Sequence, residues 1–217
     1  MKKMFYVKNQ RMFAEVTEMC KFMPRCLREK YYKILQNIFH FDLWHLMPFE
    51  ERIYAVELVQ TVNKIIAEKP GLRKKRVIEV GCGLGDIIAG VALPVQKKTG
   101  FDIDNRVIGG ARLAHPMNKF IQGSFTDIAN EDISFLIAVN FLHSIDGNTV
   151  TELLAGVTKR NSVDYIVVDQ LKSPAYRYIH DWEKVMGELG YTLYKKSRRY
   201  EAARGSRWNL IYRQITR

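Results

Sequence analysis

Arg76-Val77-Ile78-Glu79-Val80-Gly81-Cys82-Gly83-Leu84-Gly85-Asp86 joins a short apolar run to three glycines at alternate positions. Val77, Ile78 and Val80 have the character of a buried parallel strand. Residues 86–93, from Asp86 to the residue before Pro94, have the pattern of an amphipathic helix. A strand, a glycine turn and a helix in that order bring unobstructed backbone N–H groups and a positive helix end to one spot, which suits a ligand carrying a carboxylate or a phosphate. On its own, the turn could equally be a connection and nothing more.

A dinucleotide fingerprint would need G-x-G-x-x-G, with its third glycine at the position that Asp86 occupies. The spacing here is G-x-G-x-G, and a carboxylate at the turn repels a pyrophosphate, so a zwitterionic amino-acid end fits better than NAD. Val-Ile-Glu-Val-Gly-Cys-Gly-Leu-Gly resembles the first motif of the class I S-adenosylmethionine-dependent methyltransferases, and the later segment ending Asn140-Phe141-Leu142-His143 looks like that family's fourth motif as found in enzymes acting on small molecules. The resemblance implies an α/β fold, a doubly wound, seven-stranded Rossmann-like sheet, with S-adenosylmethionine as cofactor. It covers residues 72–215 and implies that the amino-acid end of the cofactor lies by Glu79, Gly81, Cys82, Gly83 and Gly85.

Outward from the turn, the pattern alternates strand and helix. Residues 97–102 read as a second strand ending on Asp102, about 20 residues past the turn, where a carboxylate can accept both hydroxyls of a ribose. Gly100-Phe101-Asp102-Ile103-Asp104 is similar to the family's second motif, which implies Asp102 and Ile103 as cofactor residues. Asp104 reads as the N-cap of a helix over 105–113, or as the ribose ligand in place of Asp102. A third strand, 119–122, runs into Gly123-Ser124-Phe125-Thr126-Asp127. Here the resemblance puts Ser124 where the family usually has an adenine-binding aspartate, with Phe125 against the adenine face and Asp127 able to reach in.

Residues 133–139 give the strongest buried-strand signal and end in Asn140-Phe141-Leu142-His143. Ligands of open α/β sheets sit beyond the carboxyl ends of the strands, so this segment is expected at the site, with Asn140 by the sulfonium. His143 is the candidate catalytic residue, able to take a proton from a hydroxyl during methyl transfer, or else to shape the pocket wall. A helix over 148–159, a fifth strand over 163–169, a loop over 170–177 and a helix over 178–189 follow. Strands over 191–200 and 208–212, joined at Gly205-Ser206, complete the pattern.

The preceding residues, 1–71, do not read as sheet and are expected to form an N-terminal helical cap over the methyltransferase domain, 72–217. Tyr31, Ile34, Leu35, Ile38 and Phe39 follow one helical face, as do Ala55, Leu58, Val59, Val62, Ile65 and Ile66. Between them lies an aromatic, proline-broken connection in which Trp44 and Phe49 read either as surface closing a pocket against water or, each taken singly, as core packing, and His45 has the same two readings.

A chain of 217 residues with 47% hydrophobic content can bury one sizeable core. Cys20, Cys26 and Cys82 are an odd number without C-x-x-C spacing, which points to free thiols and a reducing, cytoplasmic compartment. The scattered histidines form no metal motif, so no metal is expected. No segment approaches the roughly 18 apolar residues of a membrane span, and Lys8 to Arg11 interrupt any signal-peptide core. The net charge of +11 is concentrated in Lys69, Arg73, Lys74, Lys75 and Arg76 and in Lys195, Lys196, Arg198, Arg199, Arg204 and Arg207, which favours an anionic partner. The expected activity is O-methylation of a small anionic or phosphorylated acceptor such as a nucleotide-linked sugar or a surface-glycan precursor. An RNA methyltransferase and a non-catalytic cofactor-binding protein of the same fold are the alternatives.

Overall fold

The structure, a computed structural model, describes residues 25–202 and 205–215; residues 1–24, with Cys20, and Arg204 lie outside them. Strands β1 (Arg76–Val80), β2 (Lys98–Asp102), β3 (Lys119–Gln122), β4 (Asp132–Ala138) and β5 (Ser162–Lys172) are parallel, in the order β3-β2-β1-β4-β5. Antiparallel β8 (Gly205–Gln214) adds to β5, and β6 (Tyr191–Lys196) and β7 (Tyr200–Ala202) both pair with β8. Among the described residues the sheet thus holds eight strands where seven are expected. The extra one is a short hairpin partner, and Gly205-Ser206 belongs to β8 itself.

Both faces are covered because the strand side chains alternate between two apolar cores. On one side, α2 (Ile53–Glu68) packs Ala55, Leu58, Val59, Val62, Ile65 and Ile66 against Val77, Phe135, Ile137 and Val167. On the other, α5 (Gly147–Arg160) and α6 (Trp182–Glu188) cover Ile78, Val80, Leu136 and Ile166. A third cluster seats α1 (Arg25–Phe39) on α4 (Asn105–Ala114) through Tyr32, Leu35 and Val107. The buried face of α1 is therefore centred on Tyr32 and Leu35, whereas Ile34 and Ile38 of the expected stripe are exposed.

Several boundaries move for identifiable reasons. Helix α3 (Asp86–Gly90) stops before residue 93, because Asn63 of α2 accepts from the Ala92 N–H at 2.7 Å and donates to the Gly90 carbonyl at 3.1 Å. The Lys98 ammonium also donates to the carbonyls of Ala89 and Val91. Strand β5 runs on to Lys172 because β8 pairs with it as far as Ser206. Helix α6 begins only at Trp182, since His180 is held by the Leu142 carbonyl at 2.8 Å and Asp181 caps the Lys184 N–H.

Candidate functional site

The glycine turn is held open by close packing. Gly81, Gly83 and Gly85 all have positive φ, at 67°, 54° and 82°. A Cβ on Gly81 would run into the Phe141 ring and one on Gly85 into the Phe120 ring, while one on Gly83 would stand 3.0 Å from His45 Nδ1. Only glycine supplies that conformation and that clearance together. The Cys82 N–H donates to the Phe101 carbonyl at 2.9 Å and ties the turn to the end of β2. Cys82 itself is buried, and burial raises its thiol pKa well above the ordinary value. Glu79 is buried below the turn, where it accepts from the Ile88 N–H at 2.9 Å, and burial raises its pKa despite that bond.

Asp86 anchors α1 and the residue before α2 to the turn. Its carboxylate accepts from the Tyr32 hydroxyl at 2.7 Å, lies 3.0 Å from His115 Nε2 and is paired with the Arg52 guanidinium. Burial alone would raise its pKa, but the His115 bond, the Arg52 charge and the Tyr32 bond outweigh that and hold it well below the usual carboxylate range. Arg52, in turn, keeps its Nε buried without a partner.

Asp102 stands at the carboxyl end of β2, with one oxygen accepting from the Gly83 N–H at 2.9 Å and the other from the Asp104 N–H at 3.0 Å. Burial raises its pKa. Each oxygen retains a further lone pair for a ligand hydroxyl. Asp104 caps α4 through the Arg106 N–H, which leaves the free carboxylate lone pairs of this turn to Asp102. Ile103 is 75% exposed at the rim. Ser124 and Phe125 line the wall beyond it, Phe125 almost wholly buried. Asp127 does not reach in: its Oδ2 accepts from the Ser124 N–H at 2.8 Å in a reciprocal capping box.

Asn140 follows β4 with φ 71°, a left-handed conformation in a residue other than glycine. Its N–H lies 3.0 Å from both oxygens of Asp169 in β5, and its side-chain oxygen accepts from Arg207 in β8. Arg207 also pairs with Asp169 at 3.5 Å and lies 4.0 Å over the Tyr54 ring. Three strands and α2 thus meet in one buried network at the carboxyl edge of the sheet.

Two cavities open there. The first, about 450 Å³, runs over the glycine turn past Glu79, Asp102, Ile103, Ser124 and Phe125. The second, about 490 Å³, lies between the segment that follows α1 and strands β7 and β8. They share Trp44, Arg52, Tyr54 and Asn140. Trp44 is 56% exposed and stacks on His45 with ring centroids 3.5 Å apart, so it is a wall residue and no part of the core; Phe49 packs against the core as expected. Burial lowers the His45 pKa to about 4, which leaves a neutral imidazole at physiological pH.

His143 departs from expectation. It lines neither cavity; its ring packs on Tyr176 at 4.3 Å, with Nδ1 buried and unpartnered, and burial lowers its pKa. It sits in the short 3₁₀ turn Leu142–Ser144, of which Ser144 lines the first cavity. Sequence reasoning missed Arg52, Tyr54 and Asp169, and noted Arg207 only as one charge of a basic cluster. Asp169 could have been found as the acid ending the apolar run of β5, whereas Arg52 and Arg207 are brought in only by tertiary packing.

The two basic clusters fare differently. Residues 69–75 lead into β1 and Arg76 begins it, so this cluster lies at the opposite end of the strands, where Lys75 pairs with Asp164 and Arg76 with Glu131. Arg198, Arg199 and Arg207 line the second cavity. Among the described residues no group of three or more His, Cys, Asp or Glu side chains is placed to hold a metal ion, and no helix is long and apolar enough to cross a membrane.

No family model and no curated protein matches the sequence. Solved structures do. Magnesium protoporphyrin IX methyltransferase from Synechocystis PCC 6803 with bound S-adenosylmethionine superposes with a TM-score of 0.61 at 13% identity, over 94% of this chain and 97% of that one. The N-methyltransferase NodS from Bradyrhizobium japonicum WM9 gives 0.57 at 13%, over 78% and 98%. A provisionally named RNA methyltransferase from Pyrococcus horikoshii gives 0.56 at 13%, over 74% and 85%. At such identities the likeness is one of fold.

Proposed function

We propose that this chain, which has the fold of the class I S-adenosylmethionine-dependent methyltransferases, binds S-adenosylmethionine in the first cavity and methylates a small molecule held in the second. The observation that carries the reading is the pair of adjoining cavities at the carboxyl ends of β1 and β4, one floored by a glycine turn that any Cβ would obstruct. Synechocystis magnesium protoporphyrin IX methyltransferase, similar in fold over nearly its whole length, carries S-adenosylmethionine in one structure and S-adenosylhomocysteine in another.

The wall residues fit that cofactor from end to end. The N–H groups of the glycine turn suit its carboxylate, and the mutually paired Arg52 and Asp86 border that end of the cavity. Asp102 accepts from the ribose hydroxyls, Ile103 and Phe125 offer apolar surface to the base, and Ser124 offers one uncharged hydrogen bond. When bound, the cofactor supplies an electrophilic methyl on a sulfonium. What the chain adds is alignment: Asn140, fixed by Asp169 and Arg207, and Tyr54, held on Arg207, stand where the two cavities meet. No base is assigned, and His143 is not proposed as one.

The acceptor in this reading is a small anionic molecule methylated on oxygen, and the compartment is the cytoplasm. Arg198, Arg199 and Arg207 on the second cavity support the anion, and the unpaired Cys26 and Cys82 support the compartment. In the same reading, the segment before residue 72 is the substrate-side cap. The test is incubation with methyl-tritiated S-adenosylmethionine and extract of the source cell divided into a small-molecule pool and an RNA pool. Label is expected in the small-molecule pool. Label confined to RNA, or to neither pool, contradicts the reading.

A further inference from the structure

We propose that the second cavity is built for a flat aromatic carboxylate, its ring lodged against Trp44, Tyr54 and Tyr176 and its carboxylate turned towards Arg198 and Arg199. The inference rests on the reading that the cofactor fills the first cavity, and it names the acceptor class that would meet it there.

The second cavity has two unlike walls. On the side of the segment leading into α2, Trp44, Met47 and Ile53 line it and are nonetheless more than half exposed. Large apolar side chains crowded at a cavity mouth are surface that a ligand covers favourably. Tyr54 and Tyr176 also line it, and each ring is fixed by a neighbour, Tyr54 by the Arg207 guanidinium of the same lining at 4.0 Å and Tyr176 by the His143 ring at 4.3 Å. Braced rings present flat faces, and flat faces select a flat partner.

The opposite wall, from the end of β6 to β8, is basic. Across the whole lining, four guanidiniums, Arg52, Arg198, Arg199 and Arg207, face two carboxylates, Glu51 and Glu201. Arg52 and Arg207 are committed to the buried partners Asp86 and Asp169. Arg198 and Arg199 meet Glu57 and Glu201 in exposed pairs. The Arg199–Glu201 pair is exposed and holds little net energy, so a ligand carboxylate can take the place of Glu201 at small cost, whereas Glu57 is held by two Arg198 nitrogens and the Tyr200 hydroxyl. A sugar fits poorly: the neutral hydrogen-bonding side chains of the lining, besides the tyrosine hydroxyls and the Trp44 indole N–H, are Asn140, engaged by Arg207, and buried Ser206.

The test is calorimetry on protein saturated with S-adenosylhomocysteine. The probes are 3,4-dihydroxybenzoate, uncharged catechol, saturated cyclohexanecarboxylate and glucose 6-phosphate. Dihydroxybenzoate is expected to bind about tenfold or more tightly than each of the other three, the scale of one charge-assisted hydrogen bond or one lost ring contact. Arg199→Gln should reduce its affinity about fivefold and leave S-adenosylhomocysteine affinity unchanged, since Arg199 lines the second cavity alone. Tyr176→Leu should do the same, with a thermal melt confirming that the variant is folded. Equal or tighter binding of catechol, cyclohexanecarboxylate or glucose 6-phosphate overturns the proposal, as does an absence of dihydroxybenzoate binding up to about 10 mM. A protein that fails to bind S-adenosylhomocysteine at all overturns the cofactor reading instead, so the two failures are distinct.

Discussion

Changing Asp102 to asparagine replaces one oxygen by an amide nitrogen and separates the two tasks of this carboxylate. In the folded chain its oxygens accept from the Gly83 and Asp104 N–H groups at 2.9 and 3.0 Å. An asparagine offers one acceptor oxygen, so its NH₂ has to face one of those two donors. A buried donor left without an acceptor costs about 1–3 kcal/mol. Part of that is returned, because burial already disfavours the Asp102 charge and the amide carries none. We expect a loss of about 1 kcal/mol in urea unfolding of the ligand-free protein. The ribose contact is a separate quantity. Exchanging a carboxylate acceptor for an amide costs a hydroxyl about 1–2 kcal/mol, or roughly a 5- to 30-fold loss in affinity. Calorimetry with S-adenosylhomocysteine measures it directly on protein shown to be folded. If stability falls and affinity changes less than about twofold, Asp102 merely props the turn, and the ribose assignment is refuted.

Asp86→Asn should cost about 3–5 kcal/mol at neutral pH, because it strips the partner charge from largely buried Arg52. Asp86 has a depressed folded pKa, so its contribution is complete above the unfolded value near 4 and fades as pH falls below it. The gap between wild type and variant should therefore narrow in acid, and a gap constant from pH 7 to about 3 would refute the pairing. His143→Ala should keep turnover on the labelled small-molecule pool within about tenfold, since the side chain lies behind Tyr176; a loss beyond about 10²-fold with unchanged cofactor affinity would return it to the reaction.

The parallel half of the fold was legible because its signals are local. Each of the six apolar positions read along α2 is buried, and the glycine turn, Asp102 and β4 follow from short runs whose neighbours in sequence are their neighbours in space. The α1 stripe was misread by about one residue: periodicity gives the helix, but which face docks depends on Leu84 and Val107 from distant segments. Trp44 looked like core because aromatic residues are commonly buried, yet a short 3₁₀ turn leaves it at the cavity mouth. Arg207 gave no signal beyond its charge, since its role comes from a pairing of β8 with β5 that no short stretch encodes. His143 was placed correctly on the chain and wrongly in space, because a strand end fixes where a loop starts and leaves open where its side chains turn.

The most direct test of the whole account is titration of S-adenosylhomocysteine into the purified wild-type chain, with NAD titrated in parallel. One saturable site with a dissociation constant of about micromolar order is expected for S-adenosylhomocysteine, with no measurable binding of NAD and loss of the site in Gly83→Val, whose side chain would fill the turn against His45. Tight NAD binding, or no S-adenosylhomocysteine binding by folded protein, would contradict the account.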